Sequence, residues 1–159
     1  MPTETRPDLV LRPATTADLD TLADLYLRAR LAAVPSMPPP AHGPDEVRAW
    51  IGAWDLEALE VWLAEGVQGP VGFVAFTSTW LDCLYVDPSH QRGGVGGDLL
   101  DVVKARRPDG FGLWVFESNR PARRFYARHG LVERELTDGS ENEEGAPDLW
   151  LEWPVGGAL

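Results

Sequence analysis

The residues best suited to chemistry lie together in Leu84-Tyr85-Val86-Asp87-Pro88-Ser89-His90-Gln91-Arg92-Gly93-Gly94-Val95-Gly96-Gly97-Asp98-Leu99-Leu100. An apolar run leads through a polar turn and a glycine cluster into an amphipathic run. A strand that passes through glycines into a helix start aims several backbone N–H groups, and the positive end of the helix dipole, at one point. Such a point binds an anion, and Arg92 adds a full positive charge at its lip. A nucleotide-triphosphate loop requires Gly-Lys followed by Ser or Thr, whereas Gly97 is followed by Asp98. The dinucleotide fingerprint requires a third glycine where Leu99 stands. A glycine-rich turn that only reverses the chain is the plainer reading of the same residues. Metal chemistry has no basis in the sequence: Cys83 is the single cysteine, and His42, His90 and His129 lack ligand spacing.

Gln91-Arg92-Gly93-Gly94-Val95-Gly96 has the form Gln-Arg-x-Gly-x-Gly and follows an apolar strand ending Leu84-Tyr85-Val86-Asp87-Pro88. This resembles the coenzyme A pyrophosphate loop of the GNAT superfamily of N-acetyltransferases. Asn119-Arg120-Pro121-Ala122-Arg123-Arg124-Phe125-Tyr126-Ala127-Arg128-His129-Gly130-Leu131 resembles the family's second signature, an Asn followed by Ala and a Phe-Tyr pair, then Gly and an apolar residue. The resemblance implies direct transfer of an acetyl group from acetyl-CoA to a primary amine, small molecule or peptide, in a ternary complex without a metal. It implies that the pyrophosphate meets Gln91, Arg92 and the N–H groups of Gly93, Gly94, Val95, Gly96 and Gly97. Leu84, Tyr85 and Val86 would run beside the pantetheine arm like an added strand, with a backbone N–H near Val86 facing the oxyanion. Asn119 would contact the coenzyme, and Tyr126 would stand at the family's general-acid position, protonating the leaving thiolate.

Acetyl transfer also needs a neutral amine, hence a base or a path to water. Asp82 lies two residues before Leu84, so it shares the face of Leu84 and Val86 unless a bulge intervenes. It is the only ionisable group on that strand so placed, and beside Trp80 its carboxyl is expected to titrate high. Many family members carry a Glu further up the strand, where Trp80 stands, so the resemblance does not transfer the role. Asp82 is therefore expected to act as base or ammonium anchor. Glu117, Glu143, Glu144 and His42 are lesser candidates. Cys83, one residue from Asp82, is expected to face the other side of the sheet, so no cysteine nucleophile is invoked. A coenzyme-binding module without transferase activity is the alternative reading, and it would need neither Tyr126 nor Asp82.

Charge narrows the partners. The chain of 159 residues has a formal net charge of −11, which argues against nucleic-acid binding. Between Asp87 and Gly130, however, eight basic residues stand against five acidic ones, a local excess expected to coincide with the phosphate site. The acidic remainder would steer a cationic acceptor inward. No apolar run reaches membrane-spanning length and no signal region opens the chain, so a reducing cytoplasm is the expected address. Residues 1–159 are expected to form one domain, as a monomer or homodimer.

The elements that must position these groups can be read from punctuation and period. Leu9–Pro13 reads as a strand stopped by proline, and Thr16 is expected to cap a helix with apolar positions Leu19, Leu22, Ala23, Leu25, Tyr26, Ala29 and Ala33. The proline-rich segment from Val34 to Pro44 is a stiff loop and a candidate substrate wall. A second helix is expected from Asp45 to Trp54, with Val47, Trp50, Ile51 and Trp54 facing the core. Glycines then mark a hairpin, Leu59–Ala64 against Pro70–Thr77, and Trp80–Val86 is the next strand. A helix follows the glycine cluster and stops at Pro108. Gly112–Phe116 is a buried strand, and Asn119 to Gly130 bounds the last helix. Leu131–Leu136 and Asp148–Trp153 close the chain around an acidic loop. The order β-α-α-β-β-β-α-β-α-β-β is that of an α+β protein, a mixed, mostly antiparallel seven-stranded sheet flanked by four helices, and it matches the GNAT fold.

Overall fold

The computed structural model describes residues 9–91 and 93–154; Arg92 lies outside the described residues. Seven strands and four helices follow in the expected order. They are β1 (Val10–Pro13), α1 (Leu19–Ala32), α2 (Pro44–Gly52), β2 (Glu60–Gly66), β3 (Gly69–Phe76), β4 (Leu81–Val86), α3 (Val95–Arg106), β5 (Phe111–Phe116), α4 (Arg120–Arg128), β6 (Val132–Leu136) and β7 (Asp148–Trp153). Thr16 does not cap α1 as expected: it opens a short 3-10 turn, Thr16–Asp18, whose N-cap is Thr15, and this turn leads into α1. There Asp18 accepts from the Thr15 backbone at 2.8 Å and from Arg12, and these bonds hold its carboxyl near a pKa of about 2.

The strands pair antiparallel in the orders β1-β2-β3-β4 and β5-β7-β6. β7 thus inserts between β5 and β6, a placement that strand patterns alone do not specify. The parallel neighbourhood is the join between the two groups, where β4 and β5 touch through a single bridge, Trp80 to Gly112. The Trp80 ring fills that junction. It lies so close to Gly112 that a Cβ there would sit 2.8 Å from its ring, and it stacks on Trp114 at 6.0 Å. Beyond this wedge the strands part, leaving the edge of β4 that faces β5 without a strand partner.

Two apolar layers hold the sheet. On one face, Leu19, Leu22, Leu25, Val47 and Ile51 of α1 and α2 pack on Val61, Leu63, Phe73, Ala75 and Cys83. On the other, Val95, Leu99, Leu100 and Val103 of α3 pack on Val74, Phe76 and Leu81, together with Leu113 and Leu151. Strand β3 is buried on both sides, which is why its sequence reads as continuously apolar. Gly72 lets α3 approach this closely, since a Cβ would lie 3.1 Å from both Val95 and Leu99.

Candidate functional site

A cleft of about 1230 Å³ opens where β4 and β5 diverge. Its floor is β4 and β5, its far end is the start of α3, and α4 and the end of α1 form its sides. Asp82, Leu84, Tyr85 and Val86 line it, as do Gln91, Gly94, Gly96 and Gly97, and so do Asn119 and Tyr126. Gly93 and Val95 do not line it with their side-chain positions. Val95 turns its side chain into the core at 2% exposure, which leaves only its backbone for a ligand.

The start of α3 has the features of an anion cradle. Gly94, the residue before the helix, has φ +82°, a left-handed conformation that glycine adopts without strain. No side chain caps this end. The first intrahelical partner of the Gly94 carbonyl is the Asp98 N–H, so the N–H groups of Val95, Gly96 and Gly97 have no acceptor within the helix. Phe125 of α4 and His129, the residue that follows the helix, sit beneath Gly96 and Gly97, with ring atoms 3.4 and 3.1 Å from where a Cβ would be. A diphosphate fits such a site: open donors, a positive dipole end and no Cβ to hold the anion away.

The edge of β4 is equally open. The Asp87 N–H donates to the Val71 carbonyl at 2.7 Å, so strand alternation turns the backbone groups of Val86 and Leu84 away from β3 and toward the cleft. Gln91 donates its side-chain amide to the Val86 carbonyl at 3.2 Å, tying the loop to the strand and leaving the Val86 N–H free. Tyr85 faces the opposite layer. Its ring meets Tyr26 at 4.8 Å and Phe73 at 6.0 Å, and burial pushes its phenol far up.

Asp82 occupies a bulge. Cys83 pairs with Ala75 and Leu81 with Phe76, so Asp82 has no partner on β3. The extra residue changes the phase of the strand: Leu81 joins Leu84 and Val86 on the α3 side, while Cys83 points to the α1 side as expected. The simple two-residue alternation therefore does not place Asp82, yet the bulge still delivers it to the cleft. No described residue pairs with its carboxyl, and partial desolvation raises its pKa. Tyr126, on α4, packs against the core with its phenol pushed up by burial and by the nearby Cys83 thiol. Asn119 accepts from the Ala122 N–H at 3.4 Å and so caps α4 while lining the cleft.

The local basic excess does not form one patch around the cradle. Helix α3 is twelve residues long, about 18 Å. Arg106 and Arg107 at its far end pair with Glu60, and Arg123 pairs with Glu133. Of the described basic residues in that stretch, Arg124 and Arg128 line the cleft. Nearness in sequence was a poor guide because the helix carries its two ends apart. Glu117 does not line the cleft, whereas Glu144 is engaged by Arg30 and Glu143 by His42.

Sequence reasoning missed Arg30. Its side chain is 3% exposed and donates to the Pro38 carbonyl at 2.8 Å and to Glu144 at 3.2 Å, joining α1, the proline-rich loop and the acidic loop at the cleft wall. The available signal was its position four residues after Tyr26, on the apolar stripe of α1. The proline-rich loop contributes Val34, Ser36 and Met37 to the lining of the cleft. Trp50 departs from its expected core role: Val47 and Ile51 are buried, but Trp50 is 48% exposed. Among the described residues no metal-ligating cluster occurs, and no helix is long and apolar enough to cross a membrane.

A family profile described as an acetyltransferase (GNAT) domain matches residues 57–133, the span from before β2 into β6. The chain is 25% identical over 130 residues to YafP of Escherichia coli, an uncharacterized N-acetyltransferase, covering 78% of this chain and 81% of that one. The solution structure of apo YjaB from Escherichia coli superposes with a TM-score of 0.74 at 22% identity, covering 93% and 99% of the two chains. A PaiA N-acetyltransferase from Thermoplasma acidophilum, solved in complex with coenzyme A, superposes with a TM-score of 0.70 at 17% identity, covering 92% and 99%.

Proposed function

We propose that the chain is a member of the GNAT family of N-acetyltransferases, whose domain profile it matches over residues 57–133, and that it works as one domain that moves an acetyl group from acetyl-CoA directly to a primary amine within a ternary complex. The observation that carries the reading is the convergence, in one cleft, of an uncapped helix N-terminus, an open strand edge, a buried phenol and an unpaired carboxylate. Acetyl-CoA supplies an activated acyl carbon and a thiolate leaving group. The N–H groups at the start of α3 hold the diphosphate, with Gln91, Arg92 and Gly93 completing the loop. Leu84 and Val86 pair with the amides of the arm, and the Val86 N–H faces the acyl oxygen, where negative charge grows as the amine attacks. Asn119 and the ring of Tyr85 shape the walls.

Magnitudes assign the protons. A primary ammonium titrates near 10.4 and a carboxyl ordinarily near 3.9, so Asp82, even with its pKa raised by partial desolvation, does not strip the ammonium in one step. Asp82 anchors the amine, which reaches its neutral form by exchange with water. Once nitrogen has bonded to the acyl carbon its proton becomes far more acidic, and Asp82 takes it. Tyr126 enters with its proton in place. A thiol titrates near 8.5, so full transfer from a phenol above 10 is uphill by about 2 kcal/mol or more. Tyr126 therefore donates a hydrogen bond as charge builds on sulfur, gives up its proton only as the carbon–sulfur bond breaks, and the phenolate, a stronger base than the thiolate, regains a proton from water.

The test is release of free thiol from acetyl-CoA in the presence of an amine panel, alongside calorimetric titration with acetyl-CoA. Amine-dependent release supports transfer. Tight coenzyme binding with no release for any amine would leave a binding module instead.

A further inference from the structure

A second cavity, about 400 Å³, adjoins the cleft and shares Tyr26, Arg30 and Glu144 with it. Its walls come from α1, the proline-rich loop, α2 and the acidic loop. Tyr26 and Trp50 meet edge to face at 5.7 Å, and Trp50 keeps about half its surface open. Around these rings stand Glu46 and Glu143, with His42 between them at 3.4 and 2.8 Å. The remaining charges facing the cavity, Arg30 and Glu144, neutralise each other. Two carboxylates against one imidazole leave the cavity negative whether or not His42 is protonated. Open indole surface with excess carboxylate is the chemistry that holds an organic cation, through the ring faces and charge-assisted hydrogen bonds.

We infer that the acetyl acceptor carries two cationic nitrogens, one presented to Asp82 in the cleft and the other seated in the cavity of Tyr26, Trp50, Glu46 and Glu143. The inference rests on the acetyl-transfer reading for the first nitrogen, while the seat of the second is independent of turnover. The two cavities lie side by side across the shared walls of Tyr26, Arg30 and Glu144, so the occupant is a single flexible molecule reaching both, and the volume lies within the range of small-molecule sites.

The experiment titrates the full chain, with coenzyme A present, against 1,6-diaminohexane, hexylamine and 6-aminohexanoate, and measures thiol release with the same three amines. The expected result is binding of the diamine about tenfold tighter than hexylamine, with the amino acid weakest. Trp50→Ala and Glu143→Gln should each shrink the diamine-to-monoamine ratio, and both side chains are exposed enough for the fold to tolerate the change. Equal binding of diamine and hexylamine, or a ratio that survives both substitutions, overturns the inference. Diamine preference without thiol release keeps the second-cation seat and refutes acetyl transfer. Release without preference does the reverse.

Discussion

Replacing Glu144 by Leu strands the Arg30 guanidinium. Arg30 is held by the Pro38 carbonyl, the Glu144 carboxylate, the Tyr26 hydroxyl and the Phe116 ring at 6.0 Å, and at 3% exposure its side chain is almost wholly withdrawn from water. Removing one partner of a buried ion pair costs about 3–5 kcal/mol. Glu144 keeps 17% of its side-chain exposure, so the lower end applies, about 3 kcal/mol. In a chain of this length each kcal/mol moves the melting temperature by about 2–4 °C, and E144L is expected to melt about 6–12 °C below the parent. R30M should cost less, about 1–2 kcal/mol, because the freed Glu144 sits on a surface loop and turns to solvent. The double variant R30M/E144L removes both charges from the site and should recover most of the loss. Circular-dichroism melting of the parent and three variants at pH 7, with urea titrations to check equal slopes, reads the order directly. An R30M loss exceeding that of E144L, or a double variant melting at the sum of the single losses, refutes the claim that Arg30 is the stranded partner.

Tyr126→Phe should lower kcat by about a hundredfold or more while leaving the Kd for acetyl-CoA unchanged, and a parent-like rate would remove Tyr126 from the proton path. Asp82→Asn should lower kcat by a similar factor of about a hundred at pH 7, with the gap narrowing toward pH 9.5 as hydroxide takes over the proton; an equal loss at both pH values rejects proton transfer. The same variant should melt higher at pH 7, because a carboxyl whose folded pKa is raised destabilises the fold once pH passes its unfolded value; an unchanged or lower melting point would contradict the desolvation of Asp82. Gly97→Ala places a Cβ 3.1 Å from the half-buried His129 ring, whose side chain can rotate away, so the melting temperature should hold while the coenzyme Kd rises about tenfold or more. His42, held by Glu143 first and Glu46 second, should titrate by NMR above its ordinary 6.5, and Glu143→Gln should bring the midpoint down. Its ion pairs are fully formed below pH 6.5 and are lost as pH rises through the raised value, so a midpoint at or below 6.5 would break the assigned geometry.

The order of elements was legible because glycine, proline and caps act within a few residues: Gly66 and Gly69 close the β2–β3 hairpin, and Asn119 and Gly130 bound α4 as expected. The bulge at Asp82 was not, since Leu81-Asp82-Cys83 alternates as an ordinary strand would and only the register against Phe76 displaces it. The insertion of β7 between β5 and β6 was hidden for the same reason, being a choice between distant partners. Arg30 lies on an apolar stripe, a visible anomaly, but its carboxylate stands 114 residues away and its meaning depends on the fold.

The same distinction separates the two halves of the site. The donor side is local: strand, loop and helix start are contiguous from Leu84 to Leu100, so backbone geometry alone builds the anion cradle. The proposed acceptor side is assembled from Tyr26 and Arg30, His42 to Trp50, and Glu143 and Glu144, segments joined by Arg30–Glu144 and His42–Glu143. Its shape therefore depends on where one acidic loop is pinned. Substitutions in that loop can change the length and charge of the acceptor without touching a residue of the coenzyme cradle. Conversely, loosening Arg30 should raise the acceptor KM and leave the coenzyme Kd unchanged, because its hydrogen bonds run to Pro38 and Glu144 and not to α3.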